Sequence, residues 1–163
     1  MNYDVIFESD RILFVKLSEH LVQDYLAMVN DINVQKFISK DRQEFTLEQE
    51  LEWVKNKLNN KKIIFSMLEK GTNRFIGNIE IRKIENNIGE LGITITPEQQ
   101  NKHFGQEAIE AFLGYAYNVL GLDGMELNVY SFNSRGIHCY EKVGFVKDGL
   151  GEDPDDIHMV IRK

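Results

Sequence analysis

The sequence has few of the features that staple a chain or anchor it in a membrane. Its one cysteine, Cys139, has no partner for an intrachain disulfide, which is typical of a reducing compartment. No apolar run approaches the roughly 20 residues that cross a bilayer. Residues Met1 to Asp10 lack the basic and apolar regions of a signal peptide. We therefore expect a cytoplasmic protein with no membrane partner.

Basic residues are also scarce. Lys and Arg number 19 against 26 Asp and Glu, which gives a formal net charge of −7. Nucleic-acid binding usually needs a basic face, and the densest basic stretch, Lys55 to Lys62, has the pattern of a solvated helix face. The four histidines are scattered, with no spacing typical of a metal site. We expect neither a nucleic-acid partner nor a metal.

Proline and linker sequence are rare as well. The prolines are Pro97 and Pro154, and no Gly/Ser-rich stretch or internal repeat divides the chain. A length of 163 residues fits one domain with its own core. The interpretation is a single domain over residues 1–163.

Periodicity in the first half predicts a strand, two helices and a sheet meander. Arg11 to Leu17 is short and rich in β-formers, and Ser18 can cap the helix that follows. Thr46 to Gln49 has the form of a capping box ahead of a second amphipathic helix. Three apolar runs separated by turn residues then indicate an antiparallel meander: Ile63 to Leu68, Phe75 to Ile84 and Ile88 to Thr96.

The second half alternates helices with strands. A long amphipathic helix follows Gly105, and Met125 to Tyr130 has the period of a strand. A short helix from about Ser134 to Val143 precedes Gly144-Phe145-Val146 and a last strand, Ile157 to Ile161. The predicted order is β-α-α-β-β-β-α-β-α-β-β, an α/β chain of the α+β type with a mixed sheet.

Two motifs give this order a family resemblance. Ile93 to Ala108 reads ITITPEQQNKHFGQEA, and its Gln100 and Gly105 match the Gln/Arg-x-x-Gly-x-Gly/Ala loop of GNAT acetyltransferases. Asn133 to Phe145 reads NSRGIHCYEKVGF and is similar to the Tyr-Glu-x-x-Gly-Phe run of the same family. The chain resembles the branch of ribosomal-protein N-terminal and polyamine acetyltransferases. The resemblance implies a GNAT-like fold with splayed central strands and an acetyl-CoA-dependent N-acetyltransferase.

The resemblance also implies where acetyl-CoA binds. A helix N-terminus with free backbone N–H groups suits a pyrophosphate, and the strand before it can pair with the pantetheine arm through its backbone. Asn101 and His103 stand where the family often has glycine, which permits positive φ, and Asn tolerates that geometry better than His does. The implied binding residues are Ile93, Thr94, Ile95, Gln100, Asn101, Lys102, His103, Phe104, Gly105, Gln106, Asn133 and Tyr140.

Three residues are candidates for catalysis. The resemblance implies that Tyr140 protonates the departing thiolate; the alternative is a tyrosine that packs on a helix stripe. The attacking amine must lose a proton, and Glu80 and Glu90 are candidate acceptors, although a strand carboxylate usually faces solvent. A covalent route through Cys139 is the weaker alternative to a buried structural cysteine. Asn133 fits an N-cap as well as a cofactor ligand.

The acceptor remains open between several amines. The region that forms the acceptor wall in the family carries acidic residues, which favour a cationic small molecule or a basic protein N-terminus, although capping and solubility also explain them. A homodimer is compatible with the resemblance. The alternative function is a non-catalytic acetyl-CoA-binding sensor or interaction module. The acidic residues are Asp31, Asp41, Glu44, Glu48 and Glu50.

Overall fold

A computed structural model describes residues 2–151 and 153–163, which form eight strands, five α-helices and two single-turn 3-10 helices. Hydrogen bonds order the strands β1-β2-β3-β4-β5-β6-β8-β7. The β5–β6 pair is parallel, whereas β1–β2, β2–β3, β6–β8 and β7–β8 are antiparallel, so the predicted α/β chain with a mixed sheet is confirmed. The elements are β1 (Val5–Glu8), β2 (Ile12–Lys16), α1 (Val22–Asn30), α2 (Ile32–Gln35), α3 (Leu47–Asn59), β3 (Ile63–Glu69), β4 (Phe75–Glu85), β5 (Ile88–Ile95), α4 (Phe104–Asn118), β6 (Gly124–Tyr130), α5 (Ser134–Val143), β7 (Val146–Leu150) and β8 (Asp156–Arg162).

Two short elements add to the predicted order. Strand β1 has four residues, and its clearest stabilising contact is across the hairpin, where the rings of Phe7 and Phe14 stack with centroids 4.2 Å apart. Helix α2 has four residues, and the Asp31 carboxylate caps it by accepting from the backbone N–H groups of Asn33 and Val34. Both elements are too short to give a periodic signal in the sequence.

Contacts among the described residues form two compact units. The first extends to Glu80 and includes Ile93–Phe104; the second contains Ile81–Gly92 and the chain from Gly105 onward. Strands β4 and β5 therefore each contribute to both. No helix in the described part of the chain is both long and apolar enough to cross a membrane.

The core of the first unit lies under α1 and α3. The α3 helix begins with the predicted capping box, in which Thr46 and Gln49 bond to each other's backbone N–H. Tyr25 of α1 and Val54 of α3 are fully buried, and the Tyr25 ring meets Trp53 edge-on with centroids 5.9 Å apart. This packing fixes the helices over β2 and β3, which supply Val15, Ile64 and Leu68 to the same cluster.

The second unit is built around β6. Met125, Leu127 and Val129 are buried while the residues between them are more exposed, as their alternation predicts. Strand β6 pairs with β8 over its whole length, but its parallel ladder with β5 runs only from Ile88–Gly124 to Glu90–Glu126. A ladder that stops early is the pattern of splayed strands, which the sequence analysis expected.

Candidate active site

The predicted site residues lie in both units, and those of the first unit centre on the loop before α4. This pre-helix loop (residues 96–103) is fixed at its start by the Thr96 N–H, which donates to the Ile76 carbonyl at 2.8 Å. The Gln100 side chain donates to the Ile95 carbonyl at 2.9 Å, and Lys102 Nζ lies 3.0 Å from Gln99 Oε1. The loop therefore has a defined shape that several side chains maintain.

Two residues of the pre-helix loop adopt a left-handed backbone. Asn101 has φ 63° and His103 has φ 64°. These are the positions where the sequence resemblance expected glycine, so the chain keeps a glycine-type backbone without the glycines. Asn and His are among the non-glycine residues that most often occupy this region. Asn101 and His103 thus adopt the left-handed backbone that glycine would adopt without strain.

Strand β5 needs a glycine beside it that the sequence analysis did not select. A Cβ on Gly77 would lie 1.9 Å from the Thr94 carbonyl oxygen, so only glycine allows β4 to approach β5 this closely. Ile93, Thr94 and Ile95 are themselves part-buried. The available signal was an isolated glycine inside a strand pattern, which often marks a close backbone approach.

In the second unit, Asn133 caps α5. Its Oδ1 accepts from the Gly136 N–H at 3.0 Å, and a Cβ on Gly136 would lie 2.7 Å from the Asn133 Nδ2. The N-cap role that the sequence left open is therefore observed. Because Oδ1 serves the cap, Nδ2 is the group of Asn133 that can donate to a ligand.

Tyr140 lies on α5 and is half-buried, with its ring 6.0 Å from that of Phe145. Burial of the hydroxyl raises the pKa of Tyr140 to about 12, and nearby Cys139 adds to the rise while Arg82 opposes it. The phenol therefore stays protonated throughout the physiological range. It can donate a hydrogen bond, and because its phenolate is more basic than an ordinary thiolate, hydrogen bonding is easier than complete proton transfer.

Arg82 lies beside Glu90 and close enough to Tyr140 to influence its pKa, and the sequence analysis did not select it. Its Nη1 lies 3.9 Å from Glu90 Oε1, and Lys83 Nζ lies 3.6 Å from Glu90 Oε2. Gly92 makes room for the guanidinium, since a Cβ there would lie 2.8 Å from Arg82 Nε. Glu90 is therefore buried with two cationic neighbours, whereas Glu80, in the first unit, is part-buried.

Cys139 has the environment of a structural thiol. Burial raises its pKa, with a smaller rise from Glu110 that Lys142 opposes. A thiol with a raised pKa carries little thiolate, which is the nucleophilic form. Its Sγ would lie 3.5 Å from a Cβ on Gly105, an ordinary contact distance, so packing does not require glycine there.

The acidic residues of the first unit divide by role. Asp31 is a helix cap, and Asp41, Glu44 and Glu48 are exposed. Glu50 is only 5% exposed, and burial raises its pKa. The pKa of Asp24 is also raised, first by burial and then by the charge of Glu98. The clearest buried carboxyl group in this unit is therefore Glu50.

Comparison with known proteins places these features in a family. A model of the acetyltransferase (GNAT) domain matches residues 11–146. The spermidine N(1)-acetyltransferase of Vibrio cholerae serotype O1 is 33% identical over 85 residues, 51% of this chain and 49% of that protein. An uncharacterized SPbeta prophage-derived N-acetyltransferase of Bacillus subtilis is 30% identical over 100 residues, 60% of this chain and 56% of that protein. The matches span about half the length of these curated relatives.

Solved structures share the fold over nearly the whole chain. An acetyltransferase of the GNAT family from Bacillus anthracis superposes with a TM-score of 0.84 at 22% identity, covering 95% of this chain and 96% of that chain. Spermidine N-acetyltransferase from Vibrio cholerae, in complex with CoA and spermine, gives 0.81 at 25% identity and covers 94% and 96%. With its domain model, relatives and fold in agreement, the chain belongs to the GNAT acetyltransferase family.

Proposed function

We propose that this chain is an acetyl-CoA-dependent N-acetyltransferase that moves an acetyl group to a primary amine by direct attack in a ternary complex. The observation that supports it best is the left-handed backbone at Asn101 and His103, immediately before a helix of 15 residues. That backbone repeats the family's glycine positions without glycine. We infer that this backbone is retained because ligand binding requires it, since non-glycine residues are uncommon in the left-handed region of proteins.

The proposed acetyl-CoA ligands are the residues implied by the resemblance. The first turn of α4 offers backbone N–H groups that have no partner within the helix, and this end of the macrodipole favours anions. Gly105 supports the assignment, because neither its φ nor the contact with Cys139 demands glycine. The pyrophosphate would lie on Gln100 to Gln106, and the pantetheine arm along Ile93 to Ile95 and the Nδ2 of Asn133.

The chemistry needs a proton acceptor for the amine and a hydrogen-bond donor for the leaving thiolate, which takes up a proton from solvent after it departs. We assign the donor to Tyr140, whose hydroxyl stays protonated and stabilises the leaving sulfur by a hydrogen bond. We keep Glu80 and Glu90 as acceptors, acting through water. Glu90 lies beside the cations of Arg82 and Lys83.

The proposed acceptor is a cationic small amine, and a polyamine is the first candidate. One sequence relative is a spermidine N(1)-acetyltransferase, and the related solved structure contains spermine. The first unit contains carboxyl groups, buried Glu50 and the neighbouring pair Asp24 and Glu98, whose charged forms a bound ammonium would stabilise. A basic protein N-terminus is the second candidate. The cytoplasmic location and a homodimer remain predictions.

The decisive assay measures thiol release from acetyl-CoA against polyamines, amino acids, aminoglycosides and basic peptides. Amine-dependent release with a polyamine supports the proposal and its acceptor class. Binding of acetyl-CoA by calorimetry without release by any amine would favour the alternative, a non-catalytic sensor or interaction module. Absence of acetyl-CoA binding would overturn both.

A further inference from the structure

Arg11, which directly precedes β2, contacts the pre-helix loop at two points. Its Nη1 donates to the Lys102 carbonyl at 3.1 Å, and its Cζ lies 4.3 Å from the centroid of the Phe104 ring. The Phe104 ring is buried, whereas Arg11 and Lys102 are exposed. The two contacts therefore lie on either side of His103, the residue with a left-handed backbone.

The contact with the Lys102 carbonyl has a consequence for the next N–H group. In a trans peptide the C=O and N–H point in opposite directions, and the chain has no cis peptide among the described residues. Because Arg11 holds the Lys102 carbonyl, the N–H of His103 must point away from Arg11. A left-handed His103 then leads directly into the first turn of α4, whose N–H groups favour an anion.

We infer that Arg11 is a positioning residue that clamps the pre-helix loop in its ligand-binding shape. The clamp directs the His103 N–H to the face opposite Arg11, where the acetyl-CoA pyrophosphate is proposed to lie, so the inference rests on the proposed function. The guanidinium suits this task, since its planar fork can hydrogen-bond a carbonyl while its face stacks on an aromatic ring. A lysine ammonium has no comparable plane.

Direct contact with an anion is the competing role for Arg11. A cavity of about 460 Å³ is lined by Asp10, Arg11, Glu69, Lys70, Lys102 and Phe104. Its cations already have partners: Lys70 pairs with Glu8 at 2.9 Å and Lys102 with Gln99 at 3.0 Å, besides the Arg11 contacts. Two carboxylates also belong to its wall. These charges favour a clamp over an anion site in this cavity.

The test compares Arg11→Ala and Arg11→Lys with Arg74→Ala, which removes an exposed arginine from the β3–β4 turn of the same unit. We expect Arg11→Ala to raise the KM for acetyl-CoA about 10-fold with kcat within about twofold, from the loss of one charge-assisted hydrogen bond and one cation–π contact. Arg11→Lys keeps the charge and should still raise KM about fivefold, because geometry is lost. Arg74→Ala should match the wild type.

Amide exchange of the ligand-free chain supplies a readout that does not depend on activity. Faster exchange across residues 100–105 in Arg11→Ala, with an unchanged melting temperature, supports the clamp. A wild-type KM in Arg11→Lys would show that charge alone matters and would overturn it, as would unchanged exchange in Arg11→Ala. If the wild type binds no acetyl-CoA, the proposed function fails, and the exchange measurement still decides whether Arg11 clamps the loop.

Discussion

The hydroxyl of Tyr25 lies 2.5 Å from the hydroxyl of Ser66, at the centre of a buried hydrogen-bond chain in the first unit. The Ser18 N–H donates to Tyr25 at 3.2 Å, and Ser66 donates to Asn78 Oδ1 at 2.8 Å, so Tyr25 is left to donate to Ser66. Tyr25 and Ser66 are fully buried. These hydrogen bonds thus satisfy polar groups whose burial without a partner would lower the stability of the fold.

The burial of Tyr25 makes stability depend on alkaline pH. Burial raises the pKa of Tyr25 to about 12, against 10.0 for a free tyrosine. The folded state keeps Tyr25 neutral, so its contribution to stability is complete below pH 10 and is lost as pH rises towards 12. The loss is about 2–3 kcal/mol across that window.

Tyr25→Phe should therefore be less stable than the wild type at neutral pH, and this difference in the free energy of unfolding should become smaller or change sign at high pH. Removing the hydroxyl should cost about 1–2 kcal/mol at pH 7, and the deficit should shrink or reverse near pH 11.5. Denaturant unfolding at several pH values measures both effects. Ser66→Ala is the matched control, because it breaks the same hydrogen bond but keeps the titrating tyrosine. A pH-independent deficit in Tyr25→Phe would contradict the assignment.

Tyr140→Phe should reduce turnover about 10-fold or more while leaving the melting temperature nearly unchanged, if its hydroxyl donates to the leaving sulfur. Because the pKa of Tyr140 is about 12, its hydroxyl remains a donor up to high pH. The wild-type rate should accordingly show no fall from tyrosine ionisation below about pH 10. Rates of thiol release from pH 6 to 10 check both expectations.

The control for that experiment is Tyr117→Phe in the same unit. The Tyr117 hydroxyl is buried and has no hydrogen-bond partner among residues 2–151 and 153–163. Its removal should leave turnover unchanged and stabilise the fold slightly, because an unsatisfied polar group is lost. Equal turnover in Tyr140→Phe and the wild type would remove Tyr140 from the mechanism and leave it the packing role that its helix stripe also allowed.

Local signals in the sequence predicted local structure well. The Thr46–Gln49 capping box and the alternation of β6 involve residues that are near in sequence, so periodicity and caps could identify them. The family resemblance supplied the loop before α4. Strand β1 was not predicted, because four residues carry almost no periodic pattern and their stabilising contact, Phe7 with Phe14, forms only across the hairpin.

Long-range contacts could not be predicted in the same way. Arg11 is 91 residues from Lys102 in sequence, and Arg82 reaches Glu90 only because β4 and β5 are neighbours in the sheet. An arginine at either position has the pattern of a solvated side chain until its partner is known. Gly77 also depends on a contact with a residue distant in sequence, Thr94. In its case the sequence did contain a signal, namely an isolated glycine within a strand pattern.

Substitutions at His103 test whether its left-handed backbone lowers the stability of the fold. We expect stability in the order Gly, His, Ala, Val, because glycine accepts positive φ freely and a β-branched residue resists it. The gain for His103→Gly should be at most about 1 kcal/mol, since glycine also adds entropy to the unfolded chain. The KM for acetyl-CoA should rise along the same series, from glycine to valine, with His103→Gly within about twofold of the wild type.

A matched series at Lys102, whose φ is not positive, separates backbone strain from side-chain loss. Lys102→Gly should destabilise the fold, opposite in sign to His103→Gly. Melting temperatures of the two glycine variants give the comparison directly. If His103→Val is as stable as the wild type, the left-handed backbone at this position is not maintained in solution.

Glu50→Gln should separate stability from acceptor binding. Burial raises the pKa of Glu50 above 4.5, so the charged form is disfavoured in the fold. No ion pair to Glu50 occurs within the described residues. The stability that its protonated form provides is present at acid pH and lost as pH rises through the folded-state pKa. At pH 7 the neutral glutamine should therefore raise the melting temperature by roughly 2–4 °C.

The same substitution should weaken a cationic acceptor. If Glu50 attracts the amine, its KM should rise about threefold or more in Glu50→Gln, and the difference should shrink at high salt. Glu48→Gln, an exposed neighbour in the first turn of α3, is the control and should change neither the amine KM nor the melting temperature appreciably. A stabilised Glu50→Gln with an unchanged amine KM would mean that the buried carboxylate does not attract the acceptor, and that its charge only costs the fold stability at neutral pH.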